Sequence, residues 1–254
     1  MCPSKRYVLT TLVLVVAFAA VPSLDVQPRA LGLTPDSRPY PPVVSRTKSD
    51  HPANAFLPAQ SRNPKDVGIG KLLVASRTLG DPNFAETVVL LVRCNSDGVV
   101  GLVLNRRTDV PLSRVLEQFE AAKGRSDPVY LGGPVETPAV FALLRSTAKP
   151  DGADQIFSGV YLISTKDLFE KTIAGRPDPG KFHVYLGYAG WSSDQLRAEI
   201  ELGSWFIFQG DAKTVFDSEP DSLWRQLIQK TELKSVSNEP ADAPSQASRP
   251  SLYN

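Results

Sequence analysis

The sequence predicts an α+β domain built on a mixed sheet with about four helices. Three observations lead there. Short β-branched runs alternate with segments whose apolar residues recur at helical spacing. Two of the runs are joined by a connector ending in Asp97-Gly98, a hairpin signal rather than a crossover signal. Prolines crowd the ends: ten lie in residues 1–66, three in 240–254 and nine in the body between. Hairpins mixed with helices favour α+β over a doubly wound parallel sheet.

The elements follow in order. Residues 71–75 (KLLVA) form an apolar strand that ends before a Gly80-Asp81-Pro82-Asn83 turn. Residues 87–93 (TVVLLVR) and 99–104 (VVGLVL) form two more, and the first is apolar enough to be buried on both faces. Leu112, Val115, Leu116 and Phe119 fall at i, i+3, i+4 and i+7, the stripe of a helix with Asp109 as cap, Pro111 in its first turn and Gly124 as its stop. Strands are expected at 129–131, 139–144, 160–163, 181–186 and 205–209. A second helix opens at Ser164, buries Leu168, Phe169 and Ile173 and ends at Gly175. The stretch Gly187-Tyr188-Ala189-Gly190-Trp191 reads as a sharp turn into a third helix, capped by Asp194, carrying Leu196 and Ile200 and ending at Gly203. Ser218 caps a fourth, with Pro220 in its first turn and Leu223, Trp224, Leu227 and Ile228 facing inward.

Four regions are expected. Residues 1–24 have the parts of an export signal: Lys5 and Arg6, an apolar run over 8–21, and Ala17-Phe18-Ala19 as a cleavage pattern before Ala20. Extended to Leu24, the run becomes an uncleaved anchor. The protein is therefore expected to be periplasmic or extracellular, or anchored through residues 8–24, and cytosolic only if Met1 is not the true start. Residues 25–66 are a proline-rich disordered tether, 67–234 a single domain and 235–254 a polar disordered tail. About 170 residues suffice for one self-sufficient core.

Composition excludes several functions. A net charge of +1 excludes a strongly basic nucleic-acid binder, and residues 67–239 carry 19 basic against 22 acidic side chains. Two cysteines exclude a disulfide scaffold and a Cys-rich zinc site. Cys94 ends an apolar strand and reads as a small core residue rather than a nucleophile. No H-E-x-x-H, C-x-x-C or spaced acidic cluster appears, so no metal and no cofactor are expected.

Three stretches can carry chemistry. Asn105-Arg106-Arg107 closes the VVGLVL strand, where the arginines can hold a carboxylate or phosphate with paired donors. The bland alternative is a solvated strand end with Asn105 bonding loop backbone. Gly132-Gly133 can expose amides to an anion or simply make a structural turn. It fits neither G-x-G-x-x-G nor the P-loop pattern. Trp191 and Gln195 flank Ser192, which looks superficially like a nucleophile elbow but departs from G-x-S-x-G. His183, the one histidine of the body, reads as a structural residue beside Tyr185 rather than as its base.

These strings, in this order, resemble the YqgE/AlgH family, a bacterial family often labelled a transcriptional regulator. The resemblance rests on KLLVA at 71–75, Asp81-Pro82-Asn83-Phe84, TVVLL at 87–91, GVVGLVLNR at 98–106, VYLGGPV at 129–135 and LGYAGW at 186–191. Gln195-Leu196, Glu199-Ile200, Gly203-Ser204-Trp205, Val215-Phe216 and Leu223-Trp224 extend it. It implies a bifurcated or barrel-like sheet wrapped by helices, and it brings no catalytic residues. Two departures stand out: Ser193-Asp194 replace the family's glycine stretch after Gly-Trp, and the family is usually cytosolic.

The expected function is a non-enzymatic binding or regulatory module for an unknown small ligand or protein, touching a membrane only through its N-terminal segment. The candidate ligand-binding residues are Asn105, Arg106, Gly132, Gly133, Trp191 and Gln195. An enzyme of unknown reaction using the same strand-end and Gly-rich loops is the first alternative. A transcriptional regulator is the second, disfavoured by charge and by the export signal.

Overall fold

The computed structural model describes residues 60–237, with side chains through 231. The expected export segment, most of the tether and most of the tail lie outside the described residues. The strands are β1 (Gln60–Ser61), β2 (Lys71–Ala75), β3 (Val88–Asn95), β4 (Gly98–Val103), β5 (Arg107–Pro111), β6 (Pro128–Leu131), β7 (Val135–Arg145), β8 (Asp154–Phe157), β9 (Val160–Ile163), β10 (Phe182–Trp191) and β11 (Trp205–Gln209). The helices are α1 (Leu112–Val115), α2 (Lys166–Ala174), α3 (Ser193–Glu201), α4 (Ala212–Phe216) and α5 (Pro220–Ser237).

All eleven strands join one open sheet in the order β1-β11-β2-β3-β4-β10-β7-β9-β8. A side branch, β6 then β5, leaves from β10. Strand β10 makes the fork. Its first half lies antiparallel to β7 on one edge and parallel to β6 on the other, with Val184, Leu186 and their neighbours opposite Val129–Leu131. Its last residues, Ala189 to Trp191, lie antiparallel to Gly101, Val100 and Val99 of β4. Strands β4 and β6 thus follow one another along the same edge. The sheet is bifurcated, as the family resemblance implied, and it does not close into a barrel.

The period of two along β10 divides the interior. Phe182, Val184 and Leu186 face one core, which α1, Leu116 just after it and α2 cover with Leu112, Val115, Leu116, Leu168, Phe169 and Ile173. Tyr185, Ala189 and Trp191 face the other, which α3, α4 and α5 cover with Leu196, Ile200, Val215, Phe216, Leu223, Trp224, Leu227 and Ile228. In β3, Val88 to Leu91 are fully buried, as its unbroken apolar run requires. The Trp224 indole N–H is satisfied inside, donating to the Ala75 carbonyl at 2.8 Å.

Several local expectations change. The stripe from Leu112 to Phe119 forms one turn of helix and then breaks: Leu116 leaves helical geometry, and a separate 3-10 turn follows at Glu120–Ala122. Asp109 belongs to strand β5 rather than to a cap. Thr165, not Ser164, is the N-cap of α2. Helix α5 begins at Pro220, while Ser218 donates its hydroxyl back to Lys213 of α4. The sequence reading missed β5, β8 and α4. The fold also starts earlier than composition suggests, because β1 pairs with β11 and Arg62 stacks on Phe206 at 3.9 Å.

Candidate functional site

Residues 76–87 cross the surface between β2 and β3, and Arg77, Asp81, Asn83 and Glu86 are exposed. The segment is internally bonded. Asp81 receives the amides of Phe84 and Ala85 at its carbonyl and that of Asn83 at its carboxylate. Thr87 donates both its amide and its hydroxyl to Phe84. The strand-end residues hold this loop to the sheet. The Asn105 carbonyl oxygen accepts from the Val88 amide at 2.8 Å, and its NH2 donates to the Glu86 carbonyl at 2.8 Å. One amide side chain thus continues the β3–β4 ladder where β4 has ended. Glu86 sits at φ 54°, an uncommon value for a residue with a Cβ, and Asn105 secures it there. Arg106 reaches the Pro82 carbonyl at 3.3 Å.

This geometry sets an expectation for Asn105. Asn105→Ala leaves the buried Val88 amide and the Glu86 carbonyl without their partner. It is expected to cost about 1–3 kcal/mol, read as a lower urea midpoint, and to speed proteolysis inside residues 78–86 before the rest of the domain opens.

Gly132 and Gly133 lie next to this clamp. The Val103 amide donates to the Gly132 carbonyl, and the Leu131 amide donates to the Arg106 carbonyl, both at 2.9 Å. The structure therefore brings Asn105, Arg106, Gly132 and Gly133 together. The glycines fill the crotch of the fork. A Cβ on Gly132 would stand 2.3 Å from the Gly187 carbonyl, and one on Gly133 would stand 2.2 Å from the Tyr188 backbone. Gly187, at φ 68°, marks the irregularity in β10 that turns the strand from β6 toward β4. The expected turn over 187–191 is therefore a bulged continuation of β10.

Trp191 and Gln195 belong to an aromatic cluster with a carboxylate. Phe84 of the loop stacks on Trp191 at 5.4 Å and meets Trp205 edge-on at 5.7 Å. Both indole N–H groups donate to Oε2 of Glu199, at 3.0 Å from Trp191 and 2.8 Å from Trp205. Gln195 Nε2 donates to the other carboxylate oxygen. Glu199 entered the sequence reading only within the family strings, not as a candidate site residue. Its signal was indirect: two buried tryptophans need an acceptor, and Glu199 lies on the adjoining helix.

Ser192 and His183 do not meet. They sit nine residues apart at opposite ends of β10, about 30 Å along an extended chain. The Ser192 hydroxyl oxygen caps α3 by accepting from the Gln195 amide at 3.1 Å, so Ser192 rather than Asp194 is the cap. His183 stands between Tyr130 and Phe216, each ring 4.9 Å away. Burial lowers its pKa to about 4, although the Asp127 charge acts the other way.

The folded state resists a proton that the unfolded chain accepts near pH 6.5. His183 therefore leaves stability intact above pH 6.5 and removes it as pH falls toward 4, by about 3 kcal/mol at most. Urea midpoints are expected to fall across that window, and His183→Leu is expected to flatten that part of the profile.

Sequence reasoning also missed Arg125 and Asp127, which form a two-point ion pair: Nε to Oδ1 at 2.9 Å and Nη2 to Oδ2 at 2.8 Å. An open groove lined by Gln118, Phe119, Ala121, Lys166, Glu170 and Ile173 shares no residue with the clamp. Among the described residues no group of three or more His, Cys, Asp or Glu could hold a metal ion, and no helix is long and apolar enough to cross a membrane.

An open forked sheet with a surface loop pinned at its strand ends defines a class of α+β domain by architecture rather than by a catalytic set. The chain belongs to the AlgH-like family, whose model, DUF179, matches residues 72–235. The UPF0301 protein SPO0296 of Ruegeria pomeroyi is 37% identical over 169 residues, spanning 63% of this chain and 89% of that protein. A UPF0301 protein of Streptomyces avermitilis is 33% identical over 184 residues, spanning 68% and 92%. The solution structure of the AlgH protein from Pseudomonas aeruginosa matches with a TM-score of 0.53 at 27% identity, covering 77% of this chain and all of that one. The crystal structure of DIP2367 from Corynebacterium diphtheriae shares the fold at 20% identity, with a TM-score of 0.55, covering 65% and 92%.

Proposed function

We propose that this chain is a non-enzymatic binding or regulatory module whose recognition surface is the loop over residues 76–87. One observation carries the reading: Asn105, Arg106 and Trp191 all converge on that loop, which leaves Asn83 and Glu86 exposed beside Asp81, while Arg77 lies over the Trp224 ring at 5.4 Å. A rigidly held polar loop suits recognition, because little ordering entropy is left to lose on binding. The partner is a protein or a small ligand. A photo-crosslinking amino acid at Asn83, in the full chain expressed in cells, is expected to give a discrete adduct that the same group at Glu201 does not. No adduct at Asn83, or equal adducts at both positions, would overturn the reading.

Export, or tethering through residues 8–24, completes the proposal, and the N-terminal pattern supports it. Fractionation with N-terminal sequencing tests it: a form starting near Ala20 supports cleavage, and an intact membrane-bound form supports the anchor. A cytosolic form would overturn both. A DNA-regulator role is disfavoured on charge, since 19 basic against 22 acidic residues in 67–239 leave few counterions to release. The body is expected to show no duplex affinity by fluorescence anisotropy at moderate salt, and micromolar binding would restore that role.

A further inference from the structure

Three rings meet beside the loop over residues 76–87. Trp191, at the end of β10, and Trp205, at the start of β11, stand at 88° to each other with centroids 5.9 Å apart. Phe84 of the loop lies in the corner between them, 29° from the Trp191 plane and 72° from the Trp205 plane. Trp191 is 5% exposed and Trp205 0%. Phe84 and Leu79 are the apolar side chains by which the loop packs against the core.

The corner is held from α3. An indole has one polar group, a donor, and in a buried ring the acceptor's place sets the ring's direction. Here both rings find the same atom: Trp191 and Trp205 donate to Oε2 of Glu199 at 3.0 and 2.8 Å. Gln195, one turn earlier on α3, donates to Oε1 at 3.0 Å and so fixes the rotation of the carboxylate itself. Phenylalanines at 191 and 205 over a leucine at 199 would bury a similar area without a carboxylate. What the shared acceptor adds is orientation. One oxygen locks two rings nearly perpendicular, and the corner so formed is the seat of Phe84.

We infer that Glu199 is the positioning residue of this loop: by fixing both indoles through one oxygen it seats Phe84, and so sets where the neighbouring Asn83 and Glu86 stand at the surface. It acts through Phe84. Asn105 and Arg106 hold the loop backbone from the β4 end, and Glu199 holds its aromatic side chain from α3. As a role in recognition this rests on residues 76–87 being the recognition surface; as a role in placing the loop it does not.

Hydrogen exchange on the whole chain, read amide by amide by NMR, tests the positioning. The amides of Phe84, Ala85 and Thr87 are bonded within the loop, and those paired between β7 and β9 report on the rest of the domain. Glu199→Leu is expected to speed the loop amides about tenfold relative to those of β7 and β9, because two buried indole N–H groups must turn to find another acceptor. Glu199→Gln is expected to stay within about twofold of the parent, since one amide oxygen can accept from both indoles and Gln195 can turn its own oxygen to the new NH2. Phe84→Ala is expected to open the loop as Glu199→Leu does, and the double variant no further than the worse single one. If Glu199→Leu does not fold, Glu199→Asp, one methylene short of both indoles, takes its place. Equal acceleration across the domain, unchanged loop amides, additive effects, or Glu199→Gln as open as Glu199→Leu would each overturn the role. The crosslinking group at Asn83 then separates placement from recognition. An adduct that Glu199→Leu abolishes and Glu199→Gln keeps supports both. An adduct that Glu199→Leu leaves unchanged overturns the link between them. No adduct in the parent overturns the recognition surface, while the exchange rates still decide the positioning.

Discussion

Gly133→Ala is expected to prevent the domain from folding at growth temperature, whereas Gly80→Ala is expected to leave it unchanged. The contrast follows from what a methyl group would meet. At Gly133 it would stand 2.2 Å from the Tyr188 carbonyl carbon, 2.3 Å from the Ala189 nitrogen and 2.3 Å from the Tyr188 oxygen. All three are backbone atoms of β10, so no side chain can rotate away. At Gly80 nothing lies within 4 Å. Relief at Gly133 requires the loop and β10 to separate, and separation opens the fork where β4 and β6 meet. The bond from Val103 to the Gly132 carbonyl and that from Gly132 to the Leu186 carbonyl lie at the same point. A loss above about 4 kcal/mol is expected, a large part of the 5–15 kcal/mol that ordinarily holds a domain. Urea midpoints and the yield of soluble protein measure it. A Gly133→Ala domain with the parent's midpoint would mean that the fork is looser than its packing implies.

This prediction bears on how the Gly132-Gly133 pair is understood. As a sequence, a glycine pair after a strand suits an anion-binding loop and a tight turn equally well. What separates the two is the partner strand, and Gly187 lies more than fifty residues away. The same limit runs through the fold. Strands 71–75, 160–163 and 205–209 were legible end for end, because a short apolar run carries its own signal. The inward faces of α2 and α5 were legible from spacing alone. Strand β5 was not: Arg107–Pro111 has no apolar period, and only its pairing with β6 makes it a strand. Helix α1 shows the converse. Leu112 and Leu116 are both fully buried, so the stripe was real, but the chain leaves the helix at Leu116 and still buries that side chain. At the candidate site, the strand-end position of Asn105 marked it as a residue with something to hold. Its targets, at Glu86 and Val88, were beyond any local pattern.

Removing the Asp127 carboxylate is the second large effect. Asp127→Asn is expected to cost about 3–5 kcal/mol, because it leaves the Arg125 guanidinium buried beside an amide. Only 9% of the arginine side chain and 7% of the aspartate side chain are exposed. Arg125 also donates to the Pro177 carbonyl at 3.0 Å and lies 5.8 Å above the Phe182 ring. The pair therefore joins the segment before β6 to the connection that leads into β10. The carbonyls of Arg125 and Asp127 receive the amides of Ser113 and Leu112, so α1 is anchored to the same segment. Arg125→Lys keeps the charge but loses the two-point geometry and the contact to Pro177, and an intermediate loss is expected. Replacing both residues together, Arg125→Met with Asp127→Leu, is expected to recover most of the stability, since desolvation offsets much of the attraction in a buried pair. A double variant as unstable as Asp127→Asn would mean that the hydrogen bonds of Arg125, and not the unpaired charge, carry the effect. Asp127 also stabilises the protonated form of His183. In any Asp127→Asn protein that still folds, the His183 titration is therefore expected to move to lower pH, a shift that NMR of the imidazole protons reads directly and that loss of packing alone does not require.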